Sequence, residues 1–128
     1  MKKKPIKIYT SYFAKLNQLP QDVVPVAICG KSPEWYKGLE YKVLAPKWWF
    51  YNEYKNGRMS SDEYTHYFHK EVLSRIDPKK IVDAILEKTE GKTPALICYE
   101  KVGDFCHRHL VADWLNEAGF DCTEYIEE

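Results

Sequence analysis

"PALICYEKVGDFCHRHLVADWLNEAG", residues 94–119, decides how the rest of the chain is read. Ala95, Leu96, Ile97 and Cys98 run apolar without alternation, the pattern of a strand covered on both faces. Leu110, Val111, Trp114 and Leu115 then recur at helical spacing and give a helix one inward face, which Gly119 terminates. Asp104 stands where a cap is expected, so the helix is predicted to open there and to place Phe105, Cys106 and His107 in its first turn. A buried strand that feeds straight into an amphipathic helix is half of a β-α-β unit, and that unit implies a parallel sheet.

Outward from this stretch the same alternation recurs. "FDCTEYI" (120–126) closes as a short strand, "IKIYT" (6–10) opens as one, and "VVPVAICG" (23–30) is a continuous apolar strand in which Pro25 argues for a place near an edge. "SYFAKLNQL" offers Phe13 and Leu16 at helical spacing before Pro20 stops it. "KSPEWYKG" is expected to hold one helical turn, with Ser32 as cap and Pro33 in the first helical position. Residues 39–59 read as irregular, broken by Pro46 and by Asn56-Gly57. Ser60 and Glu63 then stand in capping-box relation ahead of a helical stripe of Tyr64, Tyr67, Phe68, Val72 and Ile76. Asp77-Pro78 caps a further helix whose Ile81, Val82, Ile85 and Leu86 face inward and which Gly91 ends. The expectation is an α/β fold: one three-layer, Rossmann-like domain over residues 1–128, a mainly parallel sheet with helices on both faces, and residues 1–5 as a solvated tail.

Nineteen basic and nineteen acidic side chains cancel, so no global field draws the chain to nucleic acid or to a membrane surface. "MKKKP" is followed by no continuous apolar run or small-residue cleavage site, and no segment approaches the roughly 20 apolar residues of a membrane span. A cytoplasmic protein is the expectation, with Cys29 and Cys122 reduced and buried. Aromatic residues make up 15% of the chain and crowd between positions 35 and 68. That is more than a small core needs, so part of "WWFYNEY" (48–54) is a candidate lid or pocket wall and at least half of it core. His66 and His69 lie off the apolar stripe of their helix and are read as surface residues.

Ligands of parallel sheets gather where strand ends run into helix N-termini. The turn after the strand at 94–100 therefore collects the candidates, and three chemistries compete there. First is an anion cradle: backbone N–H groups and the helix dipole, with Arg108 and the hydroxyls of Thr10 and Ser11 as donors. Second is Cys106 as a thiol nucleophile activated by that dipole, with His107, His109 or Glu100 to move its proton. His107 is a poor partner there, because helix neighbours point about 100° apart. Third is a metal held by Cys98, Cys106 and His107, placed last because no C-x-x-C pair supports it and Cys98 is expected to point into the core. Thr10 and Ser11 have the simpler expectation of capping the segment that follows them, and Cys106, His107, Arg108 and Glu100 that of ordinary first-turn and strand-end residues.

These residues also carry a resemblance. "LICYEKVGDFCHRHLVADWL" (96–115) is similar to the C-terminal signature of domain-of-unknown-function family 488: an apolar strand, a glutamate, a short acidic loop and a Cys-His-Arg triplet opening a helix. "LAPKWWFYNEYKNGRMSSDEYTHYFHKEVL" (44–73) resembles the middle segment of that family, and "IYTSYF" (8–13) its first strand and polar turn. The resemblance implies an intracellular α/β domain of bacterial or phage type. It points to Cys106, His107, Arg108 and Glu100 as site residues, and on a looser match to Ser11 and Tyr54. Where members of the family often carry Asp-x-Arg near the end of the second strand, this chain reads "AICGKSP", with Lys31 the nearby cation.

The functional expectation is an enzyme acting on a small or nucleotide-like anionic substrate, with Cys106, His107 and Glu100 catalytic and Arg108, Thr10, Ser11 and Tyr54 binding. No cofactor and no metal are expected. The alternative from another class is a non-catalytic module that binds a nucleotide or nucleic acid with the same turn and stacks bases on nearby aromatics; nucleic acid is the less favoured partner because the net charge is zero. Oligomeric state is not legible.

Overall fold

β-branched and apolar residues with no polar interruption make Thr93–Cys98 the strand on which the sheet is built. The computed structural model describes residues 6–99 and 106–126. Among them are five strands, β1 (Lys7–Tyr12), β2 (Val23–Ala27), β3 (Leu39–Glu40), β4 (Thr93–Cys98) and β5 (Asp121–Glu124), and four α-helices, α1 (Trp48–Lys55), α2 (Ser61–Glu71), α3 (Pro78–Lys88) and α4 (His107–Glu117). The strand order is β3-β2-β4-β1-β5 and every pairing is parallel. In the middle of the sheet Leu96 pairs with Thr10 on one side and with Val26 on the other, which explains why β4 is apolar throughout.

Chain direction explains the layering. From β1 the chain moves one way across the sheet to reach β2, whereas β3 to β4 and β4 to β5 both move the other way. Right-handed crossovers put oppositely directed connections on opposite faces. Accordingly, residues from all four α-helices share one core with Ile8, Val26, Leu96 and Cys122. A smaller cluster on the other face joins Ala27, Ala95 and Ile97 to Phe13, Leu16 and Tyr36, from a 3-10 helix at Phe13–Gln18 and the loop after β2. Helical segments cover both faces, as expected of the α/β class, but unequally. Phe50 and Phe68 are fully buried in the larger core, each contributing about 1.5–3 kcal/mol of transfer free energy.

Several expectations are corrected. β1 runs on through Thr10 and Ser11 to Tyr12, so neither hydroxyl caps a helix; Tyr12 occupies that position and its side chain makes no capping bond. "KSPEWYKG" forms a turn rather than a helical turn, with Tyr36 N–H donating to the Pro33 carbonyl and the Ser32 hydroxyl to Glu40. The irregular segment contains α1, which no side chain caps. Pro25 is tolerated because β3 reaches only Val26 and Ala27. At the level of Pro25 that side of β2 has no strand, and the Tyr36 hydroxyl, 2.6 Å from the Leu39 carbonyl, lies 3.3 Å from the Pro25 carbonyl. The capping box of α2 and the Asp77 cap of α3 are as expected, and Gly91 and Gly119 take positive φ beyond the helices they end. No helix among the described residues is long and apolar enough to cross a membrane. Residues 1–5, Glu100 and Asp104 lie outside the described residues.

Candidate functional site

At the carboxyl ends of β2 and β4, a cavity of about 660 Å³ opens beside the first residues of α4. Its deep wall is made of Cys98, Cys106 and His107, and Trp48, Tyr51 and Tyr54 of α1 line it opposite. Lys31 and Lys55, both exposed, also line it. The Tyr99 hydroxyl donates to the Lys31 carbonyl and ties the loop after β4 to the loop after β2. Helix α1 is held over the site by aromatic packing on α2: Phe50 meets Tyr64 edge to face at 5.3 Å, and Tyr54 lies 5.0 Å from Tyr64. Trp48, at the end of that helix, leaves 72% of its surface in solvent.

Helix α4 starts at His107, and Cys106 is its cap residue, with extended φ and ψ of −151° and 144°. The expectation that Cys106 lies within the first helical turn is therefore corrected. The objection to pairing it with His107 goes too, because the 100° rotation between neighbours applies only inside a helix. Cys106 Sγ and His107 Nδ1 lie 3.8 Å apart. On the far side of the ring, Nε2 is 2.8 Å from the Ile28 carbonyl. A carbonyl only accepts, so Nε2 carries the proton and donates, and in the neutral ring Nδ1 keeps its lone pair. Phe68 packs against the imidazole at 5.5 Å and fixes its plane.

Cys98 ends β4 and its sulfur meets that of Cys106 as a disulfide pair, with Cα atoms 7.6 Å apart. The Cys98 side chain is buried, but it faces the cavity as well as the sheet core. A ligand atom from each of Cys98, Cys106 and His107 lies within 4.8 Å of the others. Sequence spacing names this trio but ranks it last, because a strand end and a helix cap supply its cysteines eight positions apart, a separation with no signature of its own.

Arg108 and Thr10 are displaced from their expected place. Arg108 is fully buried; its Nε and Nη2 donate to the two oxygens of Glu124, each at 3.0 Å, and its Nη1 donates to Cys98 Sγ at 3.2 Å. The Thr10 hydroxyl donates to the same Glu124 at 2.6 Å. These two residues, like Ser11, do not line the cavity. The guanidinium bonds to Glu124 on β5 and to the Cys98 sulfur, and it also lies over the Tyr12 ring at 5.4 Å. Tyr54 does line the cavity, as do Cys106 and His107.

The remaining thiols and His109 have altered acidities. Burial pushes the Cys122 thiol up to about 12, and burial likewise raises Cys29, against the pull of a hydrogen bond with Ser32. Both are free and buried, and Cys29 lines the cavity. Burial, and then the Arg108 charge, lower His109.

Parallel sheet, cavity at the strand ends and a cysteine-histidine pair where a helix begins define an α/β protein with a ligand-sized pocket. A family model described as "Active DUF488-N3 subclade" matches residues 11–119, and the chain belongs to that family. Comparison with curated proteins and with solved structures finds no match.

Proposed function

We propose that the chain is an enzyme acting on a small anionic substrate with a planar ring, of nucleotide type, and that its reacting centre is the cysteine-histidine floor of the cavity. The observation that carries this reading is the composition of that one cavity: aromatic rings on α1, lysines near its entrance, and Cys106 and His107 buried at its base. Its volume of about 660 Å³ falls within the roughly 300–1,000 Å³ of small-molecule sites. Trp48 and Tyr51 offer flat apolar faces to a base, and Lys31 and Lys55 offer charge to a phosphate. Cys106 and His107 carry the chemistry, since a sulfur and an imidazole 3.8 Å apart are a nucleophile and a base of the kind such chemistry uses. Glu100, the third expected catalytic residue, remains a proposal from the sequence alone.

The test uses the reduced protein with AMP, GMP, CMP and UMP and their triphosphates, followed by thermal shift for binding and by chromatography for turnover. At least one nucleotide is expected to raise Tm and to be consumed. Ribose 5-phosphate, which has no base to stack, should bind more weakly. Trp48→Ala should weaken nucleotide binding roughly tenfold, from about 1–3 kcal/mol per stacked base, and His107→Ala should abolish turnover with the circular dichroism unchanged. No shift and no turnover with any of these compounds would overturn the reading.

A further inference from the structure

We infer that Cys98, Cys106 and His107 form a binding site for a zinc-class divalent ion whose fourth coordination position opens into the cavity. The inference deepens the proposed function by naming what the reacting centre holds, and it rests on that reading for its catalytic meaning but not for the binding itself.

Four independent features converge. The donor set is two sulfurs and one imidazole, buried together with their ligand atoms within 4.8 Å of one another, which is the Cys2His set of a catalytic zinc site that keeps one position open. All three residues line the cavity, so that position faces a space where a water or a substrate atom fits. The imidazole is oriented as a ligand needs: Nε2–H donates to the Ile28 carbonyl at 2.8 Å, and Nδ1 is turned toward Cys106 Sγ at 3.8 Å. Metal-bound histidines are held by such a carbonyl bond on the opposite nitrogen. Finally, Arg108 Nη1 donates to Cys98 Sγ at 3.2 Å and the N-terminus of α4 follows Cys106 directly. Both features favour thiolates over thiols.

Disulfide and metal-bound dithiolate are alternative states of the same pair. The Cα atoms of Cys98 and Cys106 are 7.6 Å apart, beyond the roughly 4.4–6.8 Å that disulfides usually span. Two thiolates on a shared tetrahedral ion, with metal–sulfur bonds of about 2.3 Å, need their sulfurs about 3.8 Å apart, and this backbone separation accommodates them. Thiolate and imidazole donors select zinc over magnesium or calcium. A bound ion of this kind supplies Lewis acidity and lowers the pKa of a water at its open position.

The experiment is metal analysis of the full chain, purified untagged under a phosphine reductant from zinc-supplemented cells, followed by replacement with cobalt(II). Wild-type protein should carry one zinc per chain, and its cobalt form should show the intense visible bands of tetrahedral coordination together with thiolate-to-cobalt charge transfer. Cys98→Ser and His107→Ala should each lower affinity roughly tenfold or more, while Cys29→Ser and Cys122→Ser should retain the ion. Should the site variants fail to fold, the wild-type cobalt spectrum decides, because prior alkylation of the thiols must abolish its charge-transfer bands. Reduced wild-type protein without zinc and without those cobalt bands would overturn the inference, as would full zinc retention in the Cys98→Ser/Cys106→Ser double variant. Nucleotide binding by metal-free protein would then leave the proposed function standing, whereas zinc binding without any nucleotide binding would remove that function and keep the metal site.

Discussion

Arg108 is fully buried, and its guanidinium bonds to other parts of the protein. Its place behind Cys106 in the sequence suggested a hand for an anion, yet both ends of its guanidinium face protein: Glu124 receives two of its hydrogen bonds and Cys98 a third. A buried charge needs such partners, since unpaired burial costs several kcal/mol. Its neighbour His109 registers that charge. Burial first, and Arg108 second, depress the His109 pKa from its ordinary 6.5, while Glu124 and Asp113 pull it back up. The unfolded chain therefore takes up this proton at a higher pH than the folded one. The contribution of neutral His109 to stability is fully present above about 6.5 and is lost as pH falls from there toward the depressed folded value. Urea denaturation across this range should show wild-type stability falling below about pH 6.5 more steeply than that of His109→Asn. Identical slopes would mean that His109 contributes nothing to the pH dependence.

Elements with a strong local signal were legible in the sequence, and those stabilised by tertiary packing were not. Ser60 and Glu63 satisfy each other's backbone donors, 3.1 Å in both directions, and Asp77 accepts from Lys80 N–H at 3.1 Å, so α2 and α3 begin where their caps stand. Helix α1 has no such cap; "WWFYNEYK" is rich in residues that lose rotamer freedom in a helix, and it is helical because Phe50 packs into the aromatic cluster of α2. That contact is long-range information, invisible to a local pattern. The start of α4 was misplaced for a related reason: the cap position is taken by Cys106, whose side chain makes no capping bond. The candidate site followed the same division. Cys106, His107 and Tyr54, all named from the sequence, line the cavity, and Cys98, named there only as a last-ranked metal ligand, meets Cys106 through the register of β4, which no local pattern gives. Because the cap of α2 is local, Ser60→Ala should cost about 1 kcal/mol in a denaturant midpoint shift, with the slope of the transition unchanged. A loss within experimental error would show that packing against α1 alone sets the start of α2.

For the whole molecule, the sheet order brings together the loops that line the cavity. β2 and β4 are neighbours although α1, α2 and α3 separate them in the chain, and this pairing brings Ile28 to His107, Lys31 to Tyr99, and both loops to one cavity. On the opposite face Phe13, Trp35 and Tyr36 pack on one another, and Phe13 meets the cavity-lining Tyr99 at 5.0 Å. The proposed function places ligand chemistry at the β2–β4 end. Its most direct test is amide chemical-shift mapping of isotope-labelled protein titrated with AMP, GMP, CMP and UMP in turn. Saturable shifts are expected, for at least one nucleotide, clustered at residues 29–31, 48–55, 98–99 and 106–107; shifts centred instead on residues 14–19 and 35–36, or saturation by none of the four, would contradict the proposed function.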